Sequence, residues 1–231
     1  MPIQTQKLLS LLHISDSQLP IGGYAHSYGL ETYIQKGIVN SKETAREFLH
    51  NTLFFNTFYN DAAFVRLAFQ YTEGVDFEQI LALDTLISAL KSPSEIRLAS
   101  QKLCGRLLKI IQEIQTGDII SFYQKAIQNK EAAGHYAVVF GIVAHEMGID
   151  LQDALTAFYY NTATNIVTNC VKMIPLGQLD GQKLLFEAQN WIIELVEKAD
   201  SLLADDIGRS SIGFELRAMQ HERLYSRLYM S

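Results

Sequence analysis

Apolar residues recur along most of this chain at intervals of three and four, the spacing that lines them up on one face of an α-helix. Strand-like alternation is missing, and no Asn-Gly or Asp-Gly turn stands between β-branched runs. The pattern predicts a short amphipathic helix over Thr5–Ile14 and another over Ser27–Lys36, stopped by Gly37. Ser41 suits the N-cap of a helix reaching about Gln70, with a break near Asn60-Asp61. Within it Phe48, Leu49, Leu53, Phe54, Phe55, Phe58 and Tyr59 cover most of the circumference, which predicts burial in the core or in an oligomer interface. Asp76 caps a helix through Leu90. Ser92-Pro93-Ser94-Glu95 reads as a capping box, with Ser92 at the N-cap, Pro93 at N1 and Glu95 at N3. The helix it opens runs to about Gln115 and ends at Gly117. Asp118–Gln128 and His135–Met147 follow, the second closed by Gly148. Asp150 caps a long helix to about Ile174, stopped by Pro175, and the last long helix spans Gln178 to about Leu203. The expected fold is all-α, a single-domain bundle of roughly eight to ten helices over 1–208, with 209–231 as a looser C-terminal docking tail.

One stretch departs from this pattern. Asp16 to Glu31 reads DSQLPIGGYAHSYGLE. Pro20 fixes its own φ, and Gly22 and Gly23 permit a left-handed backbone or a close approach. Tyr24, His26 and Tyr28 follow, and Gly29-Leu30-Glu31 re-enters helical spacing. The stretch is either a helix–helix connection with a satisfied histidine or a built surface.

Composition narrows the function. Nearly half of the 231 residues are hydrophobic and 19% are charged, a globular balance. The net charge of −6 argues against a general nucleic-acid binder. Cys104 and Cys170 stand far apart without metal-ligand spacing, which fits a reducing cytosol. The longest uncharged run, Ala154–Val171, carries too many Thr and Asn for a lipid span, and no targeting segment is convincing, so a cytoplasmic protein is expected. No phosphate loop, dinucleotide fingerprint or nucleophile elbow is present. His145-Glu146 and His221-Glu222 each begin like HExxH and lack the second His. No catalytic residue, metal ligand or cofactor is assigned.

Two features remain. Asn161, Asn165 and Asn169 recur every four residues along one otherwise apolar helix. They form a register-fixing hydrogen-bond ladder, a water-lined polar seam or a partner surface. The tail from 209 to 231 sets Arg209, Arg217, Arg223 and Arg227 against Glu215 and Glu222, and it adds Phe214, Leu216, Leu224, Leu228 and Tyr229. Such an end either orders on a partner or packs back on its own domain.

Leu19-Pro20-x-Gly22-Gly23 followed by His26-Ser27-x-Gly29-Leu30-Glu31 resembles the N-terminal signature of the UreF-type urease accessory proteins. Val171-Lys172-x-x-Pro175-Leu176-Gly177-Gln178 through Gln182 resembles a second signature, with Lys172 where many members carry Arg. His221-Glu222-x-x-Tyr225-Ser226-Arg227-Leu228 resembles the family's ending, with Leu224 in place of Gln and Met230 in place of Arg. Ser100-x-x-x-x-Gly105-Arg106-x-Leu108 is a weaker fourth match. The resemblance implies a non-enzymatic, cytoplasmic, homodimeric scaffold that joins a UreD/UreH-type accessory protein, a UreG-type GTPase and apo-urease during nickel insertion. It implies partner-binding roles for Pro20, Gly22, Gly23, Tyr24, His26, Ser27, Gly29 and Glu31 on a GTPase-facing side. Lys172, Gly177, Gln178, Asp180 and Gln182 would form a neighbouring patch, and Tyr225, Ser226, Arg227 and Leu228 the docking tail. Lys172 would serve as an activating finger or as part of a checkpoint without direct catalysis. A helical chaperone for another client, and an enzyme with a site around His26, Tyr24 and Glu31, are the competing readings.

Overall fold

The computed structural model describes residues 5–16, 18–115 and 117–231. Ser17, inside the Asp16–Glu31 stretch, lies outside them. The described chain is a single all-α domain, and its helices are α1 (Thr5–Ile14), α2 (Leu30–Gln35), α3 (Lys42–Asn51), α4 (Asp61–Glu73), α5 (Phe77–Leu90) and α6 (Ser94–Ile114), then α7 (Asp118–Gln128), α8 (Tyr136–Glu146), α9 (Leu151–Met173), α10 (Gln178–Lys198) and α11 (Ile212–His221).

The bundle is built around α8. Every residue from Ala137 to Ala144 is buried, so this helix has no solvent face, and α4, α6, α7 and α9 pack around it. Gly141 sets the closest crossing. A Cβ there would lie 2.5 Å from the Val65 carbonyl oxygen and 2.9 Å from the Ala68 methyl, so only glycine lets α4 and α8 meet at this distance. A buried polar knot supports the turn into α8. The Asp84 carboxylate accepts from the Tyr123 hydroxyl at 2.5 Å and from the Ala133 and Gly134 amides at 2.7 and 3.1 Å. His135 sits between Ser88 and Ser100, at 2.8 and 3.2 Å. Each buried polar group here has a partner, the condition under which burial is tolerable.

The rod expected from Ser41 to Gln70 breaks where expected, with α4 opening at Asp61 behind Asn60, and a π-helical turn over Thr52–Thr57 continues α3 up to that break. Ser41 caps α3, its hydroxyl accepting from the Thr44 amide while Thr44 reaches back to the Ser41 amide. Counted as one rod, α3 and α4 bring the eleven α-helices of the described residues within the expected range. Phe48, Leu49, Leu53 and Phe58 are buried, whereas Phe55 faces solvent.

Other expectations need correction. The second helix begins at Leu30, because Tyr28 and Gly29 are both left-handed, with φ of 53° and 86°. The Ser92 capping box does not form. Pro93 occupies the N-cap, and Glu95 turns to the tail. Asp150 makes no cap hydrogen bond and pairs with Lys7 at 3.1 Å instead. Beyond Asp205 the chain re-forms a helix, α11.

Candidate functional site

The segment after α1 turns through Leu19, which is buried, and Pro20, which is exposed. Gly22 is left-handed at φ 78°, and a Cβ on it would strike the Arg106 guanidinium, which donates to the Ile21 carbonyl at 2.9 Å. Gly23 opens a short 3₁₀ turn, Gly23–Ala25, that leaves the Tyr24 side chain in solvent. His26 and Ser27 then turn inward and are buried. The left-handed pair Tyr28-Gly29 aims α2 so that Glu31 faces the molecule. Gly29 is where α11 passes. A Cβ there would lie 3.2–3.4 Å from the Ala218 backbone and methyl, on a backbone that already disfavours a side chain.

What fills this bowl is the tail. The Ser231 main-chain oxygen accepts from the amides of Ser27 at 2.5 Å and Tyr28 at 3.0 Å, and from the Ser27 hydroxyl at 2.8 Å. The Ser231 hydroxyl lies 2.8 Å from His26 Nδ1, and the Met230 amide donates to the Ala25 carbonyl at 2.9 Å. The buried Glu31 carboxylate accepts from the amides of Leu228 at 2.9 Å and Tyr229 at 3.2 Å. His221, at the end of α11, lies between two carboxylates, with Nε2 3.1 Å from Glu31 and Nδ1 2.6 Å from Glu95. Carboxylates only accept, so this bridge is satisfied when both ring nitrogens carry protons. Arg227 closes the set on Glu95 at 2.6 Å, and the Gln35 amide donates to the Ser226 carbonyl at 3.0 Å. Charge-assisted bonds of this kind are the stronger class of hydrogen bond. The latch therefore grips the tail by its main chain, and the side chains of Tyr225 and Leu228 point to solvent, the first fully exposed and the second 79% exposed.

Electrostatics follow from burial. His26 is lowered to about 4, first by burial and then by Lys102 and Arg106, so it stays neutral at pH 7. Burial and the neighbouring Glu31 raise the Tyr229 phenol above its usual range. With Nδ1 on Ser231 and the Glu31 carboxylate occupied by the tail, His26 and Glu31 hold structure rather than present a reactive cleft, while the Tyr24 side chain lies out in solvent.

The second patch lies at the connection between α9 and α10. Lys172, Gly177, Gln178 and Gln182 are exposed. Asp180 is held by Lys42 of α3 at 2.9 Å and Lys183 at 3.6 Å, which lower its carboxyl below the usual range. A Cβ on Gly181 would lie 2.8 Å from the Val171 methyl, so this glycine brings α9 and α10 together. The link to the latch is Asn169, three residues before Lys172, whose amide donates to the His26 carbonyl at 3.1 Å. Sequence reasoning missed Asn169, Glu95, His221, Gln35 and Ser231 as latch residues. A signal existed for each of the first three (a stripe amide, a capping-box glutamate and an HExxH-like histidine), and each pointed to a different role. Among the described residues no group of three His, Cys, Asp or Glu could hold a metal ion, and no helix is long and apolar enough to cross a membrane.

A family model described as UreF matches residues 39–189. Over 222 residues the chain is 44% identical to a urease accessory protein UreF of Haemophilus influenzae (strain PittGG), covering 96% of this chain and 94% of that one. The chain belongs to the UreF family. A urease accessory protein UreF of Actinobacillus pleuropneumoniae is 42% identical over 225 residues, with 97% and 99% of the two chains covered. One from Paenarthrobacter aurescens (strain TC1) is 36% identical over 223 residues, with 96% and 97% covered. The matched UreF region contains Lys172 through Gln182, whereas the latch is assembled from stretches on either side of it together with Glu95 and Asn169 inside it.

Proposed function

We propose that this UreF-family chain is a non-enzymatic, cytoplasmic scaffold in urease maturation. As a homodimer it bridges a UreD/UreH-type accessory protein and a UreG-type GTPase on apo-urease and regulates GTP-dependent nickel insertion. The observation that carries this reading is the latch, which fixes the main chain of the tail and leaves Tyr225 and Leu228 free for a partner. Aromatic side chains on a pre-ordered backbone make effective interface anchors, because little further entropy is lost on docking. In this reading 1–208 is the helical body and 209–231 the docking tail. Tyr225, Ser226, Arg227 and Leu228 meet the second scaffold. Tyr24 and the exposed edge of the loop, with Lys172, Gln178 and Gln182, face the GTPase. Pro20, Gly22, Gly23, His26, Ser27, Gly29 and Glu31 shape that surface from below, and Gly177 and Asp180 set the second patch.

The test is urease activity with nickel, with the structural subunits and the other accessory proteins co-expressed with and without this chain. Activity that depends on the chain, and is lost in a Tyr225→Ala/Leu228→Ala variant that still folds, is the expected result. Activity indifferent to the chain overturns the reading in favour of a helical chaperone for another client. GTP turnover in the assembled complex that is unchanged by Lys172→Ala removes the activating-finger role and leaves the checkpoint.

A further inference from the structure

Behind the latch lies a cavity of about 150 Å³, walled by the loop residues Leu19 to Tyr28, the π-helical turn, α6, the start of α8, α9 and α11. One water needs about 10–15 Å³ of such space, so there is room for on the order of ten waters or one small organic molecule. Among the described residues, Asn169 is the one amide of the asparagine stripe with a protein partner. Asn161, Asn165, Tyr28 and Tyr136 also line the cavity, and all four side chains are half-buried. They come from three separate elements. Left dry and unpaired, each would cost about 1–3 kcal/mol.

The fixed charges limit what enters. Asp61 and Lys91 are in the wall but satisfy each other at 2.8 and 3.0 Å. The other wall carboxylates, Asp16 and Glu215, disfavour an anion. Burial keeps both phenols protonated far above pH 7, so they offer neutral O–H groups. Phe48 and Phe158 supply flat apolar surface. A carboxamide presents a donor beside an acceptor, and its natural complement is another planar amide.

We propose that this cavity is a binding site for a small uncharged molecule bearing a planar amide, held by Asn161, Asn165, Tyr28 and Tyr136. Two further features mark it as built. A π-helical turn, the helix irregularity most often found at functional sites, forms one wall. Tyr28 is a non-glycine residue at φ 53°, a strained conformation held in place by the Ser231 oxygen. Phe214 and Glu215 of α11 form part of the wall, so occupancy stabilises the docked tail.

The experiment titrates the purified full chain with nicotinamide, uracil and acetamide, followed by ligand-observed NMR and calorimetry, with acetate and Ni²⁺ as charged controls. The expected result is saturable binding of at least one neutral amide, roughly tenfold weaker in Tyr28→Phe and in Asn161→Leu/Asn165→Leu. Slower hydrogen exchange in residues 226–231 accompanies binding. Tyr28→Phe removes one oxygen atom and keeps the test decisive if the leucine pair fails to fold. No saturable binding, neutral-amide binding unmoved by either variant, or binding of the charged controls alone overturns the proposal. The measurement needs no urease partner, so its outcome is independent of the maturation reading.

Discussion

The α4–α8 crossing and the anchors of the tail latch (His26, Ser27, Glu31, His221 and Ser231) are buried, and they are held by opposite means. At the crossing the contacts are apolar, and the decisive feature is a missing atom, the Cβ of Gly141. In the latch almost every contact is polar and ends on main-chain amides or on two carboxylates, Glu31 and Glu95. A packed apolar contact depends on volume, and its loss is shared by the whole cooperative fold. A latch made of few strong hydrogen bonds opens locally, without the core. One region gives the protein its shape, and the other sets which surface that shape displays.

The sharpest way to break this contrast is to damage each side and ask how far the damage spreads. Phe140→Ala, in the middle of α8, is expected to cost about 3–5 kcal/mol and to lower the melting of the entire domain, read by denaturant unfolding. Glu31→Ala removes the acceptor of two tail amides and His221. It is expected to weaken tail docking by about 3 kcal/mol, seen as faster hydrogen exchange at residues 226–231 with α8 amides unchanged. If α8 exchange rises equally, the two regions form one cooperative unit and the contrast fails.

Acid provides a milder probe. His26 is held neutral in the docked state, at about 4 against an ordinary 6.5, so protonation favours the open state. Its contribution is complete above pH 6.5 and is lost as pH falls towards 4, at no more than about 1.4 kcal/mol per unit. The groups acting on His26 are Lys102 and Arg106, which lower it, and Glu95, which raises it. Tail exchange measured across this range should accelerate on acidification, and in His26→Gln this component should vanish. The smallest effect on stability is expected from Tyr225→Ala and Leu228→Ala, within about 0.5 kcal/mol by thermal melting, because neither side chain is buried.

Helix periodicity carried a good deal of this fold. Thr5–Ile14, the start of α3 behind Ser41, Asp76 before α5, and Asp118–Gln128 are all where the residue pattern puts them. Local rules failed where a distant partner outbid them. Glu95 satisfies the spacing of a capping box, yet it turns to His221 and to the Arg227 guanidinium, a charged donor stronger than a backbone amide. Tyr28 fits helical spacing, but two amides at Ser27 and Tyr28 turn to the Ser231 oxygen and unwind the start of α2. The asparagine stripe was legible as a stripe. That Asn169 ends on the His26 carbonyl while Asn161 and Asn165 meet a cavity depends on α9 passing behind the loop, which no local pattern encodes. The π-helical turn left no signal, since it keeps the spacing of a helix to within one residue.

Gly29 has a consequence for heredity. Its absent side chain is the seat of Ala218, so the two positions answer to one selective pressure although they lie near opposite ends of the polypeptide. A lineage that enlarges residue 218 must reshape the loop around Gly29 in the same interval or lose the seat. Revertants of a Gly29 lesion are expected to restore glycine itself, because the crowding atoms include the Ala218 main chain and a φ of 86° strains any side chain there.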